Sequence, residues 1–417
     1  MILFKTAWNI FRKNIIMNLF TVLQMVAVLV MTAVMVSSIC IRYQYYTPFE
    51  DYFESNGIFV KFDAYANLNP GTGAFTEMIN NEEILNELEY ADDVLACHGV
   101  MSYYDKNPDY TFLSFSYDDA IIESFTPELQ EGRWLKTGDK TSVIEAVISQ
   151  NTYDWQVGDL IEIYFPNFPN AIPVSVQIVG MLKENTKIPG GYIANVDEMD
   201  FNDFYYPYSY EIEQMPVLLF SYSALRNIET GIPRDTEYDV IQALRSSVII
   251  TYPDDISDDI VEQDINKILQ YGGGYAVTLE ELYDNSVRYL YRQMYNLLPI
   301  IIVLFILVSV SSISSSALST RRRLKDYSIY YINGLQWKHC TFINFILSIM
   351  TSIIAGIIAV VILLGIQTTT FQNGFKIIWN PYLFAAIGVL ILLYLIISMI
   401  MPIIIIGKNT PKQILTK

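Results

Sequence analysis

Four long apolar stretches limit what this chain can fold into more than any other feature does. They cover residues 15–41, 297–318, 341–366 and 382–406, and they contain no Asp, Glu, Lys, Arg or His. Each is longer than the roughly 20 residues with which a helix crosses about 30 Å of hydrocarbon. Because a backbone in lipid must satisfy its own hydrogen bonds, each stretch is predicted to be a transmembrane helix.

Charge is distributed unevenly around these stretches, and the distribution predicts their orientation. The segments 1–14, 319–340 and 407–417 together carry 11 Lys and Arg residues and a single acid, Asp326. Residues 43–296 carry 13 bases and 43 acids, a net charge of −30. By the positive-inside rule, both termini and the 319–340 loop are expected in the cytoplasm. The acidic segment is then expected outside, with 367–381 as a short outer loop, and it is poorly suited to binding nucleic acid.

The outer segment, residues 42–296, has the patterns of a mixed α and β domain. Gly57–Phe62 and 247–252 are β-branched and aromatic runs, which predict strands. Residues 81–90 and 254–271 have apolar residues at helical spacing and are predicted to be helices. A strand followed by a helix at each end indicates an α+β domain with split halves.

The middle of this domain, about 126–215, differs because short strand patterns there alternate with Gly, Pro and Asn turns, which predicts a small β-rich insertion. Residues 280–296 return to helical spacing and continue into the second apolar stretch, so they are predicted to form a stalk. The predicted fold is therefore an α-helical membrane protein with four transmembrane helices and an α+β extracytoplasmic domain. The N-terminal segment 1–14 has an apolar stripe beside its bases and is predicted to be an amphipathic helix at the inner membrane face.

Small residues recur at four-residue spacing in two of the apolar stretches, which lets neighbouring helices approach closely. They are Ser312, Ser316, Ser348, Ser352 and Gly356. The contact that they serve is expected within one bundle, although a contact with a second copy of the chain is also open.

Motifs for catalysis and for cofactor binding are absent from the sequence. It contains no Gly-x-x-x-x-Gly-Lys-Ser/Thr loop, no His-Glu-x-x-His, no Gly-x-Ser-x-Gly and no Cys-x-x-Cys. The three cysteines, Cys40, Cys97 and Cys340, give no disulfide framework. We therefore expect a non-catalytic chain that has no metal or cofactor site and binds no nucleotide itself.

The 319–340 loop has a distinctive order of residues: Arg321, Arg322 and Arg323, then Lys325 and Asp326, then Ser328 and Gly334. This order resembles the signature of the FtsX/MacB-type ABC transporter permeases. In that family the second span ends in bases, followed by an acid, then a small residue two positions later and a glycine eight positions after the acid. The matching residues are Arg321, Arg322, Arg323, Lys325, Asp326, Ser328 and Gly334. The family usually has Glu in place of Asp326, Gly in place of Ser328 and Leu in place of Asn333.

The resemblance extends over nearly the whole chain. One span, a large outer domain and three further spans is the family layout. Segments similar to the family's β-rich insertion follow in the family's order, and the C-terminal end is also similar. These segments are Gly132-Arg133-Trp134, 145–149, 157–163, 176–182 and 411–415.

The resemblance implies the membrane subunit of an ABC transporter of the mechanotransmission type in a bacterial cell membrane. A separate cytoplasmic ATPase subunit would bind ATP and Mg²⁺ and dock at residues 321–335 and at the N-terminal helix. A second permease copy and an extracytoplasmic protein partner are further implied. The expected cargo is a peptide, a lipopeptide or a drug. The alternatives are a regulator of cell-wall hydrolases that transports nothing, and a receptor or adhesin in which the basic loop is only an anchor.

Overall fold

A computed structural model of the chain describes residues 2–13, 15–62, 88–104, 107–137, 143–164, 174–190, 198–208, 215–226, 244–270, 273–334, 336–368, 377–409 and 414. The chain divides into two compact units. Residues 1–44 and 289–417 form an apolar unit of helices, which we call the helical unit. Residues 45–288 form a mixed α and β unit, which we call the outer unit after its predicted position. Parts of the predicted helix 81–90, of the outer loop 367–381 and of the matching C-terminal segment 411–415 lie outside the described residues.

The helices are α1 Ile2–Lys13, α2 Ile15–Tyr46, α3 Glu50–Phe53, α4 Asp119–Ser124, α5 Tyr222–Arg226, α6 Asp258–Gln270, α7 Leu279–Arg322, α8 Leu324–Ile332, α9 Trp337–Thr368 and α10 Pro381–Lys408. The strands are β1 Gly57–Phe62, β2 Asp93–Tyr104, β3 Asn107–Tyr117, β4 Leu129–Gly132, β5 Val143–Ile148, β6 Leu160–Tyr164, β7 Val174–Leu182, β8 Lys187–Pro189, β9 Tyr205–Pro207, β10 Val217–Ser221, β11 Leu244–Thr251 and β12 Gly273–Thr278.

Four of the helices, α2, α7, α9 and α10, are long and apolar enough to cross a membrane, which confirms the prediction of four such helices. Each of these helices extends beyond the predicted range at one or both ends. Helix α10 begins at Pro381 because the Asn380 side chain accepts a hydrogen bond of 2.9 Å from the Leu383 backbone N–H. Residues Ile2–Lys13 form the helix α1, as the amphipathic N-terminal pattern predicts.

The core of the helical unit is built from small and branched side chains that all four long helices contribute. Val22, Met25 and Leu29 of α2 pack with Val308 of α7 and with Ala355 of α9, and Tyr394 of α10 completes this cluster. The opposite faces of α9 and α10 expose Ile and Leu side chains. Such faces are stable in hydrocarbon and costly in water.

One half of the outer unit is a four-stranded antiparallel arrangement in the order β12-β1-β11-β2. Helix α6 covers one of its faces by packing Val261 and Ile268 against Ile58 and Val60. The predicted strands Gly57–Phe62 and 247–252 are confirmed, and the predicted helix 254–271 is present from Asp258 onward.

The other half of the outer unit is a closed ring of six strands. Following hydrogen-bonded neighbours gives β2-β3-β10-β5-β7-β6, and β6 returns to β2 through the pairs Tyr103–Tyr164 and Tyr104–Ile163. The interior is filled with side chains from alternate strand positions, including Phe112, Ile161, Ile163, Val176 and Phe220. This alternation is the period-2 pattern of strands that have one buried face.

The predicted insertion at about 126–215 is not a separate small domain. Its strands β4 to β7 belong to the same ten-stranded sheet as the strands that flank it. The connection is β10, which lies just after the predicted insertion and pairs with β3 on one side and β5 on the other. Turn residues predict where strands end. They do not predict that the later strand β10 connects β5 of the insertion with β3 before it.

Two glycines allow the backbones of β4 and β7 to approach closely. Gly132 has φ +80°, and a Cβ added there would lie 2.3 Å from the Val179 carbonyl oxygen. A Cβ at Gly180 would lie 2.3 Å from the Arg133 carbonyl oxygen. The Arg133 side chain forms an ion pair with Glu145 on β5. The Gly132-Arg133-Trp134 motif is therefore a junction in the sheet.

We expect Gly132→Ala to destabilise the outer unit by roughly 2 kcal/mol or more, because it combines positive-φ strain with a backbone clash. Gly158 is a matched control, since it has φ +103° but no heavy atom within 4 Å of an added Cβ. Gly158→Ala should cost only the conformational part, about 1–2 kcal/mol. Thermal unfolding of the purified full-length chain, followed by circular dichroism, measures both variants. Equal losses would show that the contact with Val179 contributes nothing.

Candidate functional site

The basic loop after the second apolar helix folds into the short helix α8, and one buried residue fixes that helix in place. Tyr327 is 1% exposed and packs with Ala7, Ile10 and Phe11 of α1. The same cluster contains Cys340 and Ile343 of α9, and Nδ2 of Asn344 donates a hydrogen bond of 3.4 Å to the Tyr327 hydroxyl. Helices α1, α8 and α9 therefore share one small core.

The residues that match the permease signature fall into two groups. Arg321, Arg322, Lys325 and Asp326 are exposed, and Arg323 is half-buried. Ser328 is buried, and its hydroxyl donates a hydrogen bond of 2.9 Å to the Leu324 carbonyl oxygen. A small residue at this position lets the helix lie against the core that Tyr327 enters.

Gly334 ends this segment in a left-handed backbone conformation, with φ +91°. Its N–H donates a hydrogen bond of 3.0 Å to the Tyr331 carbonyl oxygen, and a Cβ added to Gly334 would meet no heavy atom within 4 Å. The constraint on this position is therefore the backbone angle and not crowding. This is the usual reason for a glycine just past the end of a helix.

The solvent face of α8 carries apolar side chains that the sequence analysis did not single out. Ile329 and Tyr331 are about half exposed, and Ile332 is 68% exposed. The signal was present in the sequence as an apolar run beside a basic run, in a loop too short to cross a bilayer. Contiguous exposed apolar residues with a polar rim mark interaction surfaces. After the predicted cytoplasmic position and partner contact of this loop, we call the following residues the inner docking face: Arg321, Arg322, Lys325, Ile329, Tyr331 and Ile332.

The small residues predicted to pack helices together behave in two ways. Ser312, Ser316, Ser348 and Ser352 are buried. The Ser398 hydroxyl of α10 donates a hydrogen bond of 2.9 Å to the Ser348 hydroxyl of α9, so Ser348 joins two helices directly. Gly356 differs from the expected contact within the bundle, because an added Cβ would meet no heavy atom of the described chain within 4 Å. It faces an open groove between α9 and α10.

The first turns of α7 are held inside the outer unit. Leu279 and Leu282 are 1% exposed and belong to a large core with Phe49, Phe53 and Phe204. Two polar residues of α7 also hold the start of this helix by hydrogen bonds. Nδ2 of Asn285 donates to the Met199 carbonyl oxygen at 3.0 Å, and the Ser286 hydroxyl accepts from the Phe201 N–H at 3.1 Å.

The last residues of α2 are held in the same core. Tyr46 lies 5.3 Å from Phe201, centroid to centroid, and its hydroxyl donates to Glu54 at 2.6 Å. The Tyr205 hydroxyl donates to the Tyr45 carbonyl oxygen at 2.7 Å. The end of α2 and the start of α7 are therefore fastened to one aromatic cluster.

Lys61 is a buried cation in the outer unit that the sequence analysis missed. It lies on β1, is 1% exposed, and has the buried Cys97 thiol and Asp203 in its electrostatic surroundings. Burial lowers the pKa of Lys61 to about 8, because the charged ammonium loses its hydration. A lysine in an alternating strand is normally interpreted as solvent-facing, so no local pattern indicates that Lys61 is buried.

A metal site is not evident in the part of the chain that the structure describes, which contains no group of three or more His, Cys, Asp or Glu able to hold an ion. In the described part of the chain Cys97 and Cys340 are buried thiols that form no disulfide, and Cys40 is partly exposed.

Comparisons with known proteins give distant structural similarity only. No family model matches this chain. No curated protein matches it either. It is similar to the periplasmic region of MacB from Actinobacillus actinomycetemcomitans, with TM-score 0.25 and 10% identity over 55% of this chain and 90% of that chain.

Two further solved structures are similar to the same degree. One is the extracellular domain of the noncanonic ABC-type transporter YknZ from Gram-positive bacteria, with TM-score 0.24 and 12% identity over 54% of this chain and 99% of that chain. The other is a domain of a candidate permease protein from Porphyromonas gingivalis, with TM-score 0.24 and 10% identity over 54% and 90% of the two chains. At these TM-scores, function must be argued from the chain's own residues.

We expect Tyr327→Ala to release α8, since truncating a buried aromatic residue costs about 3–5 kcal/mol. The arginines and lysine at 321–325 should then be cleaved faster by trypsin in the purified full-length protein. Tyr331→Ala is the matched control, because Tyr331 is 47% exposed. Equal cleavage rates in the two variants would contradict the anchoring role of Tyr327.

Lys61 predicts an unusual dependence of stability on pH. The pKa of Lys61 is near 8 in the folded state, whereas a lysine in the unfolded chain has a pKa of about 10.4. The charged form of Lys61 therefore lowers the free energy of unfolding, and this penalty is fully present below pH 8. This penalty is lost as the pH rises toward 10.4. Lys61→Met should therefore stabilise the outer unit by up to about 3 kcal/mol at pH 7 and by much less at pH 10. Urea unfolding at both pH values measures the effect.

The control for this experiment is Lys183→Met, because Lys183 is exposed and pairs with Glu128 at 3.2 Å. Its effect should be small and the same at both pH values. A gain from Lys61→Met that does not change between pH 7 and pH 10 would mean that the buried lysine carries no charge penalty.

Proposed function

We propose that this chain is the permease subunit of an ABC transporter of the mechanotransmission type, working with a separate cytoplasmic ATPase subunit. The proposal rests on the signature-like order of residues from Arg321 to Gly334. The single observation that carries it is the inner docking face, an apolar patch with bases beside it on a short helix outside the apolar spans. Such a patch suits a partner's groove better than it suits water.

In our proposal, helix α8 is the element that a partner subunit displaces. Only Arg323 separates it from the end of α7, and Tyr327 couples it to α1 and α9. Helix α7 is unbroken from Leu279 to Arg322, even though it contains Pro299. In our proposal, closure of the ATPase subunits around ATP and Mg²⁺ moves α8, and α7 carries this movement to the core that holds Leu279 and Leu282.

The apolar spans support movement of helices over passage of cargo through the bilayer. The four stretches 15–41, 297–318, 341–366 and 382–406 contain no Asp, Glu, Lys, Arg or His, whereas ion and proton pathways through membranes need carboxylates, bases or histidines. We therefore propose that the cargo, a peptide, a lipopeptide or a drug, is handled at the outer unit. A second permease copy would complete the transporter.

Charge reversal at the inner docking face tests the proposal. Arg321→Glu combined with Arg322→Glu should weaken copurification of the proposed ATPase subunit by at least about tenfold, or about 1.4 kcal/mol. The stimulated ATP hydrolysis rate should fall in parallel. Ile332→Asp, which leaves the bases in place, should give the same loss if the apolar part of the face also binds.

Two controls make this result interpretable. Lys408→Glu reverses an exposed base at the end of α10, outside the docking face, and should leave association intact. A reporter at the C-terminus checks that the reversed charges have not inverted the topology. Unchanged association and hydrolysis in the docking-face variants, with normal topology, would refute the proposal.

A further inference from the structure

Other residues of the same segment line a cavity of about 550 Å³. Helix α1 contributes Asn9, Arg12 and Lys13 to its wall, and the α8 segment contributes Arg323, Asp326 and Tyr330. Its size is within the range of small-molecule sites. All these residues belong to the helical unit.

The cavity carries an excess of positive charge. Arg12, Lys13 and Arg323 face one carboxylate, Asp326. Among the described residues, none of these three bases forms an ion pair. Arg323 is half-buried, and this burial lowers its pKa. A guanidinium that has lost part of its hydration gains most from an anion that accepts two parallel hydrogen bonds.

The surroundings of the cavity are those of a helix lying at a lipid surface. On α1, Phe4 is 58% exposed and Trp8 is 44% exposed, and both lie on the face next to Arg12. At the start of α2, Ile16 is 82% exposed. The remaining apolar face of α1, formed by Ala7, Ile10 and Phe11, is already covered by the core around Tyr327. Apolar side chains beside unpaired bases are the arrangement that binds anionic lipid.

We propose that this cavity binds a phosphate-bearing anion, and that its occupant is the headgroup of an anionic phospholipid of the inner leaflet. Arg12 and Arg323 would bind the phosphate from two helices, and Asn9 and Tyr330 would offer further hydrogen bonds. The acyl chains would cover Phe4, Trp8 and Ile16. This inference uses the proposed membrane orientation but does not require a partner ATPase.

The occupant would join α1 to the α8 segment. Because Arg323 lies between α7 and α8, a bound headgroup would hold the junction through which the proposed movement passes. The site therefore gives the lipid composition of the inner leaflet a means of setting how firmly α8 is held.

The test uses the purified full-length chain in detergent, titrated with dihexanoyl phosphatidylglycerol and followed by native mass spectrometry. We expect saturable binding that Arg12→Gln weakens by about tenfold. Lys408→Gln is the matched control, since it removes an exposed base of the same unit that does not line the cavity. Dihexanoyl phosphatidylcholine, whose headgroup has no net charge, should bind more weakly than phosphatidylglycerol. Arg323→Gln should repeat the effect of Arg12→Gln from the second helix.

Each other outcome overturns the inference. An equal loss with Lys408→Gln would mean a general attraction to a basic surface. Equal binding of the two lipids would exclude charge recognition. Displacement of the lipid by inorganic phosphate at equal concentration would assign the cavity to a soluble anion. Normal lipid binding with loss of ATPase copurification in Arg12→Gln would assign it to the protein partner. Loss of ATPase docking in the Arg321→Glu and Arg322→Glu variant does not enter this test, so the two proposals can fail separately.

Discussion

The aromatic core around Phe49, Phe53 and Phe204 is the interaction on which the rest of this structure depends. It holds the first turns of α7 through Leu279 and Leu282, and it holds the end of α2 through Tyr45 and Tyr46. Burial of each such side chain contributes roughly 1.5–3 kcal/mol, so several together fix both helix ends against rotation or withdrawal. A helix fastened in this way can deliver a displacement, whereas a helix that ends in a loose loop would absorb it.

The α8 segment carries two sets of side chains, one proposed to contact a partner protein and the other proposed to contact an anion. Lys325, Ile329 and Ile332 point outward with Arg321 and Arg322, while Arg323, Asp326 and Tyr330 line the cavity beside α1. Tyr327 belongs to neither set and packs into the core with α1 and α9. In the two proposals, the partner protein and the anion contact different side chains of the segment.

The sequence predicts the parts of this molecule that depend on local periodicity. The four apolar helices, the helix α1, the helix at Asp258–Gln270 and the strands at Gly57–Phe62 and Leu244–Thr251 follow from spacing alone. The closed ring does not, because the pairing of β6 with β2 joins residues about 60 positions apart and no local pattern encodes it. Lys61 and Tyr327 were missed for the same reason, since their burial is set by distant neighbours. The contact predicted for Gly356 stays a prediction, because spacing alone does not say which helix a small residue meets, and an added Cβ there would meet no heavy atom of the described chain within 4 Å.

The closed ring of β2, β3, β10, β5, β7 and β6 also bears on how this unit behaves when it is crowded among other copies. Every strand of the ring has a hydrogen-bonded neighbour on both sides, and the shortest contact is the two residue pairs between β2 and β6, so the ring offers little unpaired ladder to another chain. Exposed ladders are templates for aggregation and for swapping of strands between molecules. Along the described sheet, such exposure is confined to its two outermost strands, β12 and β4. Strand exchange between neighbouring copies would therefore have to begin at one of those two strands.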